Sequence, residues 1–148
     1  MRLVVQRAGG AEVWIDGQLD SSTNAGLLVL YGTRQGDTEK SCEYLADKVV
    51  NLRIFEDADH KMNLSALDVH GEIMIVSQFT LYADTRKGRR PAFTEAMEPQ
   101  EAERLYNRFV ELVKQSGLLT RTGVFGGKMD VRFSNYGPVT IILDHDLP

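Results

Sequence analysis

Two hydroxyls, Ser77 and Thr80, close the string Ser77-Gln78-Phe79-Thr80, which follows the apolar run Ile73-Met74-Ile75-Val76. A serine or threonine hydroxyl is a weak nucleophile until a base takes its proton. The three histidines, His60, His70 and His145, are scattered, and none stands in a motif that would supply that base. Two readings stay open. The hydroxyls act in catalysis, or they satisfy backbone groups where a strand turns away. The same histidines and the single Cys42 form neither an H-x-x-x-H pair nor a C-x-x-C, so no metal is expected. Gly117–Gly127 is glycine-rich but contains no phosphate-binding G-x-x-x-x-G-K-[ST] or G-x-G-x-x-G, and no cofactor is expected.

Two further strings carry possible chemistry. Arg86, Lys87, Arg89 and Arg90 put four cations into five positions around Gly88. Such a run is a solvated face or a phosphate-binding loop, because arginine forks fit phosphate oxygens. Asn135-Tyr136-Gly137-Pro138-Val139-Thr140 places Gly-Pro where a strand should run. Proline removes a backbone donor, so the dipeptide is either a turn or a backbone feature with a purpose.

The elements that position these strings follow from periodicity. Leu3–Arg7 and Ala11–Asp16 read as strands, with Gly9-Gly10 as the hairpin between them. Leu27–Tyr31, bounded by Gly26 and Gly32, reads as a short buried strand. Asp37 is the expected N-cap of a helix over Thr38–Leu52, where Cys42, Leu45, Val49 and Leu52 recur at helical spacing. Arg53–Glu56 starts another strand, and Asp57–Lys61 is a turn. Glu72–Phe79 is a strand that delivers Ser77–Thr80 at its C-terminal end, and Ala83–Phe93 an exposed loop. Glu98-Pro99 opens a second helix, with Ala102, Leu105, Tyr106, Phe109, Val110 and Val113 on one face and Gly117 as its stop. Met129–Asn135 and Val139–Asp144 read as two strands around Gly137-Pro138.

The expected fold is α+β: mostly antiparallel sheets in a barrel-like or sandwich arrangement, with two main helices packed outside. The 148 residues fit one domain spanning 1–148. No apolar run reaches the roughly 20 residues of a membrane helix, and the N-terminus lacks the apolar stretch of a signal peptide. One cysteine fits a reducing, cytoplasmic setting. The net charge of -4 argues against a general nucleic-acid binder but leaves room for one basic edge.

Taken in order, these strings resemble the D-aminoacyl-tRNA deacylases over nearly the whole chain. The matching blocks are Gln6-Arg7, Gly26–Leu30, Asn51–Phe55, Lys61–Ser65, Val76–Leu81, Ala83–Pro91, Thr122–Gly126 and Asn135–Thr140. The resemblance implies hydrolysis of the ester that joins a D-amino acid, or mischarged glycine, to the 3′ end of tRNA. It implies a homodimer in which the Gly-cisPro dipeptide of one subunit, here Gly137-Pro138, completes the other subunit's site and rejects L-amino acids. Rigid backbone suits that task better than a side chain that can change rotamer.

On the same resemblance, Ser77, Gln78, Phe79 and Thr80 form the facing wall, with the Phe79 and Thr80 N–H groups as oxyanion donors. The terminal ribose 2′-hydroxyl then assists water, and Thr80 as nucleophile is the alternative. Arg7 holds the dipeptide in orientation. Met129, Val139 and Thr140 line the pocket, and Arg86, Lys87, Arg89 and Arg90 track acceptor-stem phosphates. The chain departs from the family pattern at Ala8-Gly9-Gly10, at Asp20–Asn24, at Gly127-Lys128 and at Tyr136, which stands where an acidic residue is common. Two other readings compete: a non-catalytic RNA-binding dimer, and a sister type that edits L-alanine through a trans Gly-Pro.

Overall fold

The computed structural model describes residues 1–146. In chain order its strands are β1 (Arg2–Ile15), β2 (Gln18–Thr23), β3 (Gly26–Gly32), β4 (Phe55–Glu56), β5 (Met62–Leu64), β6 (Glu72–Ser77), β7 (Thr120–Thr122) and β8 (Asp130–Asp144). Its helices are α1 (Glu39–Asn51), the short α2 (Ala66–Val69) and α3 (Pro99–Lys114), with one 3-10 turn over Phe79–Tyr82.

The long strand β1 organises the sheet. One of its edges pairs antiparallel with β3 and then with β2, and the other pairs with β8 from Arg2 to Trp14. Beyond β3 the sheet continues in parallel through β6 and β7. It nearly closes into a barrel, because the Ser21 hydroxyl of β2 donates to the Thr122 carbonyl of β7 at 2.8 Å. Most of the pairings are antiparallel, as expected, and the exceptions are the parallel pairings of β3 with β6 and of β6 with β7. The connections through α1 and α3 are long enough for parallel crossovers.

Gly9-Gly10 is not a hairpin. It lies inside β1, where the register against β8 shifts between Ala8 and Ala11. The shift has a clear consequence for side-chain direction. Leu3 and Val5 belong to the cluster beneath the helices, whereas Ala11 and Val13, of the same parity, join Ala8 on the opposite face. A bulge inserts one residue and so reverses the alternation. Glycine is needed there, since Gly10 has φ +152°. The hairpin turn is instead Asp16-Gly17, both with positive φ, which closes the two-residue loop between Ile15 and Gln18.

Beneath one face, α1 and α3 bury Cys42, Leu45, Val49, Leu105, Phe109 and Val113 against Val29, Tyr31, Ile73 and Ile75. Each such large apolar side chain contributes roughly 1.5–3 kcal/mol on burial. Glu98, next to Pro99, caps α3 by accepting from the Glu101 N–H at 2.6 Å and the Gln100 N–H at 3.2 Å. Thr38, not Asp37, takes the N-cap position of α1. Asp37 accepts from the Arg34 N–H at 2.8 Å and pairs with the Met1 amino group, so its carboxylate is committed elsewhere.

The two strands expected around Gly137-Pro138 are one strand, β8, interrupted by an excursion. Asn135 pairs with Ala8 and Thr140 with Gln6, so five steps on β8 oppose two on β1. The Asn135 side chain ties the excursion shut: its Oδ1 accepts from the Val139 N–H at 2.7 Å, and its Nδ2 donates to Thr140 Oγ1 at 3.0 Å.

Candidate functional site

The end of β6 opens into a pocket of about 440 Å³. Gln78 breaks the strand with φ −147° and ψ 80°, and its N–H donates to the Tyr31 carbonyl at 2.7 Å. The chain then winds into the 3-10 turn. The first N–H groups of a helical turn have no partner within it. Neither the Phe79 nor the Thr80 N–H has an acceptor among the described residues.

Ser77, Gln78, Phe79 and Met129 line this pocket together. The sequence reading missed the rest of the lining, notably Tyr31, Thr33, Met97, Phe125 and Val131. Phe125 and Gly126 lie in the Thr122–Gly126 block, which could have flagged them. Tyr31 was hidden inside an apolar run. Thr80, Val139 and Thr140 do not line this pocket.

Tyr31 is the one titratable side chain in the lining, and burial pushes its phenol far above the ordinary range. The Thr80 hydroxyl is taken by the Gln78 amide, which donates to its Oγ1. The histidines are engaged elsewhere. His60 faces Glu56, His70 ends α2 in the left-handed region, and His145 Nδ1 lies 3.2 Å from Ser41 Oγ. No group of three or more metal-ligating side chains occurs among the described residues. The pocket therefore offers main-chain donors and apolar walls, with no side chain that would exchange a proton near neutrality.

Gly137-Pro138, joined by a cis peptide bond, is not among the residues that line this pocket. The excursion stands opposite Arg7, which pairs with Leu27, which pairs with Ile73. Ser77 is four residues further along β6. Counted along the sheet, the register offsets the dipeptide from Ser77 by three strands and about 13 Å, while Met129 and Val131, which precede it in the chain, do line the pocket.

Arg7 is 5% exposed and fixes the start of that excursion. Its Nε donates to the Tyr136 carbonyl at 2.8 Å and its Nη1 to the Ile54 carbonyl at 2.8 Å. Its guanidinium lies 5.2 Å from the centroid of the Tyr136 ring. Gly137 has φ +140°, and a Cβ there would stand 2.9 Å from Arg7 Nη2 and 2.8 Å from Val139 Cγ2. Beyond Arg7, then, the dipeptide projects from the sheet with both residues exposed.

The basic loop joins the pocket through Phe93, whose ring meets Phe79 edge-on with centroids 5.0 Å apart. Asp84 and Ala92 exchange backbone hydrogen bonds at 2.7 and 2.9 Å, which closes the loop. Arg86 is held within it: its Nε and Nη2 both donate to the Asp84 carboxylate, at 2.8 and 2.7 Å. The Arg86 guanidinium keeps that carboxyl well below the usual range. Lys87, Arg89 and Arg90 are exposed and make no ion pair among the described residues.

Residues 4–144 match the family model described as D-Tyr-tRNA(Tyr) deacylase. A protein of Aquifex aeolicus (strain VF5) named D-aminoacyl-tRNA deacylase is 54% identical over 144 residues, covering 97% of each chain. One of the same name from Halothermothrix orenii is 56% identical over the same share. Among solved structures, a protein titled c-Myc DNA Unwinding Element Binding Protein superposes with a TM-score of 0.93 at 40% identity, covering 99% of this chain and 100% of that one. A probable eukaryotic D-amino acid tRNA deacylase shares the fold, with a TM-score of 0.83 at 18% identity.

Proposed function

Because this chain belongs to the D-Tyr-tRNA(Tyr) deacylase family, we propose that it hydrolyses the ester of D-aminoacyl-tRNA, and of mischarged glycyl-tRNA, in the cytoplasm. Water adds to the ester carbonyl, the bond to the ribose oxygen breaks, and free amino acid and tRNA leave. One observation carries the mechanism. The pocket has an unpartnered main-chain donor at Phe79, followed in the chain by the equally unpartnered Thr80 N–H at its margin, and no lining side chain that titrates near neutrality. Such a site stabilises an oxyanion by position, and the proton transfer falls to the substrate's own 2′-hydroxyl. Thr80 is a poor nucleophile here, since its oxygen accepts from Gln78 and no base adjoins it.

The chiral filter is Gly137-Pro138 supplied by a second copy. The dipeptide is exposed and is not part of its own chain's pocket lining, which suits insertion into another copy. Among the described residues β8 pairs only with β1 and leaves its other long edge unpaired, with Ile142 and Phe133 of the same strand exposed, as an interface between copies would need. Backbone at the filter leaves room for a hydrogen or a D side chain and blocks an L side chain, which also explains why glycine passes. Lys87, Arg89 and Arg90 hold phosphates of the acceptor end, and Arg86 braces their loop.

The test is hydrolysis of D-Tyr-tRNA, L-Tyr-tRNA and Gly-tRNA at low enzyme and moderate salt. Loss of the D-Tyr and Gly esters with L-Tyr intact supports the proposal. Survival of all three while the tRNA still binds would leave a binding module.

A further inference from the structure

Tyr136 is the most exposed large apolar side chain among the described residues, at 69%. It also adjoins one of the most buried charges. Arg7 has no carboxylate within ion-pair reach among the described residues; two carbonyls and one aromatic face are what it meets. A buried guanidinium without a counter-anion gains from a π face, which attracts the cation and keeps water from that side. The residue that supplies this face also supplies the carbonyl that Arg7 Nε holds. Backbone and ring of Tyr136 therefore grip the same guanidinium from two directions.

We propose that Tyr136 is a positioning residue for the Gly137-Pro138 dipeptide, acting through Arg7: its ring covers the guanidinium and so locks the hydrogen bond that sets the orientation of the segment. The alternative for a residue this exposed is a free ring with no bearing on its neighbours. Ring and guanidinium at 5.2 Å, joined through the 2.8 Å bond to the same residue's carbonyl, argue for coupling. Only the ring's face is used, so phenylalanine would serve and an aliphatic or small residue would not. The chiral role of the dipeptide rests on the proposed function; the lock on Arg7 does not.

The test compares Tyr136→Phe and Tyr136→Ala with the parent in two measurements. The first is exchange of the Arg7 Nε–H with water, followed by nitrogen-15 NMR with Arg7→Lys as the assignment control. Tyr136→Ala should speed this exchange at least tenfold, and Tyr136→Phe should leave it within twofold. The second is the ratio of D-Tyr-tRNA to L-Tyr-tRNA hydrolysis, with the size of the particle checked by light scattering. Tyr136→Ala should lower the ratio at least tenfold through L-Tyr-tRNA hydrolysis, with unchanged particle size, and Tyr136→Phe should restore it. Unchanged exchange in Tyr136→Ala would overturn the proposal, whatever the activity. Faster exchange with an unchanged ratio would overturn the positioning role. If the parent hydrolysed no D-Tyr-tRNA, the proposed function would fall, and the positioning role with it. A changed particle size would assign Tyr136 to the contact between copies and overturn the proposal as well.

Discussion

Arg7 and Tyr136, 129 positions apart in the chain, are joined by a hydrogen bond of 2.8 Å from the Arg7 Nε to the Tyr136 carbonyl. The same guanidinium reaches the Ile54 carbonyl, so one side chain ties β1, the entry to β4 and the excursion of β8. An ammonium cannot reproduce that planar fork. Arg7→Lys should lower stability by about 1–3 kcal/mol, the usual cost of a buried acceptor left without a donor. It should also raise L-Tyr-tRNA hydrolysis. Denaturant unfolding and the two tRNA assays check both outcomes.

Gly137→Ala tests the filter more narrowly. The new Cβ meets Arg7 Nη2 and Val139 Cγ2 below 3 Å in a backbone conformation that L residues rarely adopt. The segment must shift. Binding of tRNA should survive, and discrimination against L-Tyr-tRNA should fall at least tenfold. Filter binding and deacylation with each ester measure the two effects separately.

Thr80→Ala distinguishes the two mechanisms. General-base help is typically worth about 100-fold or more. If the substrate's 2′-hydroxyl gives that help, Thr80→Ala should keep kcat within about tenfold. A tRNA ending in 2′-deoxyadenosine, charged at the 3′ position, should then lose about 100-fold. Single-turnover hydrolysis of both substrates by both proteins is the measurement.

The basic loop should divide into brace and contacts. Arg86 is occupied by Asp84, whereas Arg89 and Arg90 make no ion pair among the described residues. Arg89→Gln and Arg90→Gln should each reduce the slope of log KM against log salt by about 0.7–0.9, the release from roughly one phosphate. Arg86→Gln should change that slope less and lower the stability of the loop, seen by limited proteolysis.

Cys42 provides a measure of pH dependence. Burial pushes its thiol up to about 11, and Tyr31 bonds to it from the other side. A raised pKa means that the unfolded thiol ionises first. The contribution to stability is intact below about pH 9, where the unfolded thiol is still protonated, and is lost as pH rises towards 11. Denaturant midpoints at pH 8 and pH 10.5 should show the decline, and Cys42→Ala should reduce it. At pH 7.5 the thiol should resist alkylation until the chain unfolds.

The sequence was legible where the pattern was strong and local. The α3 face, the Glu98-Pro99 start and the glycine-bounded run Leu27–Tyr31 stand where periodicity put them. Gly9-Gly10 misled because paired glycine serves a bulge as readily as a turn, and the Asp16-Gly17 signal one strand-length later was the true hairpin. The parallel run of β3, β6 and β7 was hidden, since pairing direction depends on tertiary crossovers that short apolar runs do not encode. Ser77, Gln78, Phe79 and Met129 do meet in one pocket. That Gly137-Pro138 is not among them shows only in the lining of the folded pocket. Spacing along the chain held no trace of it.

The most direct test of the cross-subunit filter uses purified mixed dimers. One subunit carries Gly137→Ala; the other carries Met129→Trp, which fills the pocket and should be inactive as a homodimer. In the mixed dimer the one open pocket belongs to the Gly137→Ala subunit, while its partner presents an intact Gly-Pro dipeptide. If the dipeptide acts across the dimer, this species hydrolyses D-Tyr-tRNA and spares L-Tyr-tRNA. If it hydrolyses both esters, as the Gly137→Ala homodimer should, the dipeptide acts within its own chain and the cross-subunit filter is contradicted.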